Sequence, residues 1–232
     1  MASAASYPES PAPSFLFDLD GTLIDSVYQH VIAWRTALMR IGIELSVWRI
    51  HRRIGMSGGL FVTALLRETG RSLSKEDIDA LQQAHAAEYR AQMDSVTALP
   101  GARDLLAALT DAGVRWAIAT SGYAATARPA LALLGLPEDT PLVTRDQVRH
   151  AKPDPDLFLA AADLIDVAIG RAIVVGDSIW DLLAARRAGA LGVGLLSGGY
   201  GREELERAGA YRVYADPAEL LAHLDEIGVR RD

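Results

Sequence analysis

The chain has 232 residues, half of them apolar, a net charge of −7 and no cysteine. That much apolar material supports one sizeable core with a smaller unit beside it. The missing cysteine excludes disulfides, zinc–thiolate sites and thiol nucleophiles. Acids and bases are interspersed and the balance is acidic, which argues against non-specific nucleic-acid binding, whose affinity comes mainly from neutralised phosphates.

Residues 1–13 are mostly Ala, Ser and Pro. They lack the basic start and apolar stretch of a signal peptide and read as a floppy tail. No uncharged apolar run approaches the roughly 18 residues that suggest a membrane span. The expectation is a soluble, cytoplasmic protein with no membrane or nucleic-acid partner.

Ser14–Phe17 reads as a short, fully apolar strand. From Asp25 to Met93 the pattern is helical. Val27, Val31, Trp34 and Leu38 form one helix face. Ser46–Ile54 suggests a second helix, followed by a loop over Gly55–Gly59 and a helix over Leu60–Glu68. Ser74 with Asp77 resembles a capping box opening a helix that runs to about Met93.

After Pro100-Gly101 helices and short strands alternate. Helices are expected over Ala102–Ala112, Ala124–Leu134, Pro155–Ile165, Trp180–Ala188, Arg202–Ala208 and Ala218–Glu226. Strands are expected over Val114–Ala119, Leu142–Thr144, Ala172–Val175 and Gly192–Leu196, with an edge strand over Tyr211–Tyr214. This alternation implies a doubly wound α/β fold around a Rossmann-like parallel sheet. A structureless loop as long as the stretch after the first strand is implausible. The expected division is therefore an α/β core of residues 14–24 and 96–232 and a small helical cap of residues 25–95.

The chemistry concentrates at strand ends. Asp18 and Asp20 sit two apart where the first strand meets Gly21, so both carboxylates face one point at its carboxyl end. That is where open α/β sheets bind ligands. Two converging anions call for a proton or a cation, and an oxygen-only donor set favours Mg²⁺. Such a pair suggests phosphoryl chemistry, with one acid as nucleophile and one as proton donor.

Three further stretches end near the same crevice. Thr120, Ser121 and Gly122 offer a hydroxyl and free amides for phosphate oxygens, or cap the next helix. Lys152 in Ala-Lys-Pro-Asp-Pro-Asp is held by the stiffness of the two prolines that follow it, where an ammonium would offset carboxylate and phosphate charge; the bland alternative is a solvated lysine. Asp177, in Gly176-Asp177-Ser178, is a third strand-end carboxylate for a metal or a helix N-cap. Asp181, one turn further, is expected with Ser178 to hold the loop and support the site before ligating directly.

In this order, Asp-x-Asp, Thr, Lys-Pro and Gly-Asp-x-x-x-Asp resemble the four motifs of the haloacid dehalogenase superfamily. The match is to members with a helical cap after the first motif, the phosphoglycolate-phosphatase-like and β-phosphoglucomutase-like groups. The resemblance runs from Phe15 to about the end. It implies that Asp18 attacks phosphorus to form an aspartyl-phosphate. Asp20 would protonate the leaving oxygen and later deprotonate water. Thr120, Ser121, Gly122 and Lys152 would bind the phosphoryl group. Mg²⁺ would be held by Asp18, the backbone carbonyl of Asp20 and Asp177. Asp20 itself speaks for phosphate, since the dehalogenases lack this second acid.

Ser26 to His30, with Trp34, resembles the cap start of the β-phosphoglucomutase group. In those mutases an arginine after the cap Gly-x-Ser grips a second phosphate. Here Gly55-Met56-Ser57 is followed by Gly58 and Gly59, which favours a phosphatase acting on a small phosphorylated metabolite. Arg52 or Arg53 standing in for that arginine would restore the sugar-phosphomutase alternative, and a non-catalytic binding protein on the same fold is the third. The cap residues expected near substrate are His30, Arg53, Ser57 and Gly58, although His30 equally suits packing at the cap–core junction.

Overall fold

Phe15 and Phe17 point to one side of the first strand and Leu16 to the other, and all three are fully buried in the computed structural model. The structure describes residues 12–229. The tail expected over residues 1–13 lies, but for its last two residues, outside them. Strand β1 (Ser14–Phe17) occupies the expected span. An apolar strand without alternation suits a parallel sheet covered on both faces.

The chain then makes β2 (Ile24–Asp25) and four helices, α1 (Val27–Arg40), α2 (Val47–His51), α3 (Gly58–Thr69) and α4 (Lys75–Arg90), and returns through β3 (Thr97–Ala98). Strands β2 and β3 pair antiparallel, tying the entry and exit of the helical insert together. Two residues each are too short a signal to read from sequence. The insert has its own apolar cluster, in which Val27, Val31, Trp34 and Leu38 of α1 meet Ile50, Phe61 and Leu65.

Three boundaries of the insert differ from expectation. Helix α2 is shorter, ending at His51. Helix α3 begins at Gly58, not after Gly59, because Ser57 caps it, its hydroxyl accepting from the Leu60 amide at 3.4 Å. A serine cap offsets the roughly 1 kcal/mol that a glycine costs in a helix. The expected capping box of Ser74 and Asp77 is present, and α4 ends at Arg90.

The remainder alternates α5 (Ala102–Asp111), β4 (Trp116–Ala119), α6 (Ala124–Leu133), β5 (Leu142–Val143), α7 (Asp156–Leu164), β6 (Ala172–Gly176), α8 (Ile179–Ala188), β7 (Leu191–Leu195), α9 (Arg202–Ala208), β8 (Ala210–Tyr214) and α10 (Pro217–Ala222). The last expected helix is split, with α10 followed by a 3-10 turn over Leu224–Ile227. The six-stranded sheet runs β5-β4-β1-β6-β7-β8, all parallel. Helices α5, α6 and α10 cover the face of Phe15 and Phe17, and α7 and α8 cover the face of Leu16. The fold is thus a doubly wound α/β sheet with a helical insert. Strand order reverses at β1, which lies between β4 and β6, and such a switch point opens a crevice at the carboxyl ends.

Candidate active site

Register sets the crevice. Phe17 pairs with both Ile118 and Val175. The residues just beyond are Asp18, Thr120 and Asp177, so three strands deliver polar side chains to one place. Each of these is at most 4 % exposed.

Lys152 joins them from the loop before α7. It has no exposed surface, so it is not a solvated lysine. Its Nζ donates to Asp18 Oδ1 and lies 2.8 Å from Asp181 Oδ1. The ammonium also sits 5.1 Å from the centre of the Phe158 ring. Asp181 is fixed in turn by the Ser178 amide, which donates to its Oδ2 at 3.1 Å, and by the Ser178 hydroxyl. Ser178, not Asp177, is the N-cap of α8. Asp177 is therefore left to face the crevice, where Thr22 Oγ1 donates to its Oδ1 at 3.1 Å.

Carboxylate oxygens of Asp18, Asp177 and Asp181 all lie within 4.8 Å of one another. Three buried acids face one buried ammonium. Burial pushes the Asp18 carboxyl up to about 7, with Lys152 opposing and Asp181 and Asp20 reinforcing. Burial, then the neighbouring Asp181 and Asp18, also raises Asp177 well above the usual carboxylate range. Such a group is electrostatically incomplete, and a hard divalent cation among these oxygens would complete it. The donor set thus fits the Mg²⁺ expected from sequence.

Two glycines make room for Asp177. A Cβ at Gly198 would stand 1.7 Å from Asp177 Oδ2, and one at Gly21 would stand 2.6 Å from it. Neither position, nor Thr22, stands out in the sequence as part of the site. The tight approach is visible only once β7 and β1 are adjacent to β6.

The Asp20 side chain is not part of the carboxylate cluster. Its Oδ1 accepts from Ser26 Oγ at 2.6 Å and faces His30 Nε2 at 3.1 Å. Its Oδ2 lies 3.5 Å from Thr120 Oγ1. Burial alone would raise Asp20, but His30 and the Ser26 hydroxyl outweigh it and hold the carboxyl at about 2. The pair read from sequence is thus split electrostatically, with one acid raised and the other lowered. The Gly122 amide donates to Thr120 Oγ1 at 2.9 Å. Tyr123, not Thr120 or Ser121, is the N-cap of α6, so the capping alternative for that pair does not hold.

The helical insert roofs the crevice. Ser121 Oγ donates to the Gly55 carbonyl at 3.0 Å, and Tyr200 OH donates to the Arg52 carbonyl at 2.9 Å. Between insert and sheet is a cavity of about 460 Å³ that reaches Asp18, Asp20 and Thr120. Of the insert residues expected near substrate, His30, Arg53 and Gly58 line it. Ser57 does not appear in its lining; it is buried as the cap of α3. Arg53 is paired with Glu68 and donates to the Arg49 carbonyl at 2.6 Å, while Arg52 is paired with Glu204. His85 on α4, absent from the expected set, also lines the cavity. Burial and the adjacent His30 hold it well below the usual histidine range, Asp20 opposing.

This fold and this arrangement of acids and lysine define a class of hydrolase. The model of the haloacid dehalogenase-like hydrolase family matches residues 13–189. Hexitol phosphatase A of Escherichia coli is 36% identical over 181 residues, 75% of this chain and 79% of that protein. Phosphoglycolate phosphatase of Rhodospirillum rubrum is 32% identical over 212 residues, 88% of each chain. A hydrolase of Pseudomonas syringae, known from its crystal structure, superposes with a TM-score of 0.92 at 56% identity, covering 93% of this chain and 99% of that one. The chain belongs to the haloacid dehalogenase-like hydrolase family. It is an enzyme of the phosphatase branch of that family. Among the described residues, no helix is long and apolar enough to cross a membrane.

Proposed function

We propose that the chain is a Mg²⁺-dependent phosphatase that hydrolyses a small phosphorylated metabolite through an aspartyl-phosphate on Asp18. The observation that carries this reading is the placement of Asp18. Its carboxylate is held by Lys152, grouped with Asp177, and faces the cavity between insert and sheet. In this reading residues 14–24 and 96–232 are the catalytic core and residues 25–95 the cap that selects substrate.

In the first half-reaction an Asp18 oxygen attacks phosphorus. The new bond is carboxylate O–P, and the bond that breaks is the ester P–O. The leaving oxygen takes a proton through Asp20 Oδ2, the atom turned toward Thr120; because, against burial, His30 and the Ser26 hydroxyl hold that carboxyl low, the proton is one brought in by the monoanionic phosphate ester. In the second half-reaction water attacks the same phosphorus, Asp20 takes its proton, and Asp18 leaves as a carboxylate. Thr120 and the amides near Ser121 and Gly122 bind phosphoryl oxygens, and Lys152 neutralises nucleophile and phosphate together. Asp18, Asp177 and the Asp20 carbonyl would hold Mg²⁺, which supplies charge neutralisation for the phosphoryl oxygens. Positioning and neutralisation are what phosphoryl transfer chiefly requires.

The phosphatase reading is favoured over a mutase because both candidate arginines are committed. Arg53 is tied to Glu68 and Arg52 to Glu204, so either would have to give up an ion pair to clamp the second phosphate of a bisphosphate intermediate. The test is phosphate release from p-nitrophenyl phosphate and from a panel of phosphorylated metabolites with Mg²⁺. Release sustains the reading. No release across a pH series would sink it, and transfer of phosphate between positions of a sugar without release would favour the mutase.

A further inference from the structure

Two histidines from different helices meet end to end behind Asp20. His30 of α1 faces Asp20 Oδ1 with Nε2 at 3.1 Å and His85 Nε2 with Nδ1 at 3.1 Å. Each ring is clamped by an aromatic of the opposite helix. His30 stacks on Tyr89 at 3.8 Å and 6° between planes, and His85 stacks on Trp34 at 4.0 Å and 12°. His30 and Trp34 are four apart on α1, as are His85 and Tyr89 on α4, so each pair lies on one helix face. Neither imidazole can swing without breaking a stack.

Hydrogen-bond accounting fixes the direction of the chain. An ionised carboxylate only accepts, so His30 Nε2 must carry the hydrogen that faces Asp20. His30 Nδ1 then either accepts from His85 Nε2–H or, if both nitrogens of His30 are protonated, donates to a bare His85 Nε2. Under both assignments His85 keeps the Nε2 hydrogen of His30 aimed at Asp20. With Ser26 on the same oxygen, Oδ1 is saturated with donors. The proton that Asp20 exchanges is confined to Oδ2, the oxygen nearer Thr120.

We propose that His85 is a positioning residue for the reaction, acting through His30 to hold Asp20 with Oδ2 as its working acid–base atom. The proposal rests on the phosphatase reading and deepens it. It extends the proton-handling machinery to α4, so leaving-group protonation depends on the α1–α4 pair of the helical insert.

The test compares two esters of similar shape, p-nitrophenyl phosphate and phenyl phosphate, with Mg²⁺ present. Nitrophenolate departs with little help, whereas phenolate needs more proton donation. His85→Phe keeps a ring against Trp34 and removes the nitrogen. Its kcat/KM on phenyl phosphate, which reports the half-reaction that expels the leaving group, should fall about tenfold or more, a fraction of the ~10²–10⁴ that a general acid contributes, with a clearly smaller loss on p-nitrophenyl phosphate. His85→Gln, whose amide can still donate to His30 Nδ1, should recover most of the difference. It also serves if the Phe variant does not fold. Equal losses on the two esters, no loss on either, or no recovery with Gln would overturn the proposal. Absence of turnover by the unaltered chain would instead overturn the phosphatase reading and this proposal with it.

Discussion

Lys152 Nζ lies 2.8 Å from Asp181 Oδ1 and donates to Asp18 on its other side, with no part of the lysine exposed. The ammonium is the counter-charge for a cluster that also holds Asp177. Lys152→Met removes it at nearly constant volume and leaves three acids facing each other. Removing one partner from a buried ion pair typically costs about 3–5 kcal/mol, and chemical denaturation in a chelator should register a loss of that order. Mg²⁺ should recover part of the stability but not turnover, because in the proposed mechanism the phosphate would still lack its lysine. Unchanged stability would mean that the cluster does not depend on this counter-charge.

The same cluster predicts an unusual pH dependence. Asp18 is raised from an ordinary 3.8 to about 7 by burial, and Asp177 is raised for the same reason. Between those values the folded chain binds protons that the unfolded chain has released. Stability therefore falls as pH rises. Asp20 has the opposite sign, because its carboxyl is lowered to about 2. Its contribution is present above 3.8 and lost on acidification, below the window set by Asp18. His85, which burial holds well below the ordinary histidine value, opposes this trend as pH rises through the histidine range, one group against two raised carboxyls. Thermal midpoints of the metal-free chain should thus decline from pH 5 toward pH 7, while saturating Mg²⁺ should flatten the trend, since a cation that binds only the folded state stabilises it. A metal-free midpoint that climbs over this interval would contradict the assignment.

How far the sequence led depends on how local each signal is. Strand β1, the α1 stripe and the Ser74–Asp77 box are written in consecutive or helically spaced residues, and they stand where they were read. The motif residues Asp18, Asp20, Thr120, Lys152 and Asp177 converge because each sits at or near the end of a parallel strand or its following loop. What escaped depends on contacts across the fold. Gly198 matters because β7 lies beside β6, and His85 matters because α4 packs on α1. Ser57 followed by Gly-Gly looked like a loop, but its hydroxyl caps α3. The fate of Arg53 rests on Glu68, a partner 15 residues away.

Asp18 and Asp20 should fail differently. Asp18→Asn removes the proposed nucleophile and should abolish turnover; retained activity would rule out the covalent route. Asp20→Asn keeps the shape and the backbone carbonyl but removes the exchangeable proton. Turnover should fall at least ~10²-fold, as for a lost general acid. Its side chain lies outside the carboxylate cluster, so Mg²⁺ should still protect the variant against heat. Loss of that protection in Asp20→Asn would mean that its carboxylate itself belongs to the metal site.

Gly198→Ala tests the proposed metal site without altering any of the three clustered acids. The added Cβ would stand 1.7 Å from Asp177 Oδ2, far inside van der Waals contact, so either the carboxylate or the 3-10 turn over Leu196–Gly198 must move. The turn is tied down, since Ser197 Oγ donates to the Gly21 carbonyl at 2.6 Å and His51 Nε2 faces the Gly198 carbonyl at 2.7 Å. The carboxylate is the softer element, and its displacement pulls one oxygen from the cation. Displacing the groups that orient a metal ligand typically costs 10–100-fold in affinity, and the Mg²⁺ concentration for half-maximal activity should rise by about that factor. Turnover at saturating Mg²⁺ should recover much of the loss, because Asp18, Asp20 and Lys152 are untouched. An unchanged Mg²⁺ requirement would show that Asp177 does not need the space that Gly198 leaves for it.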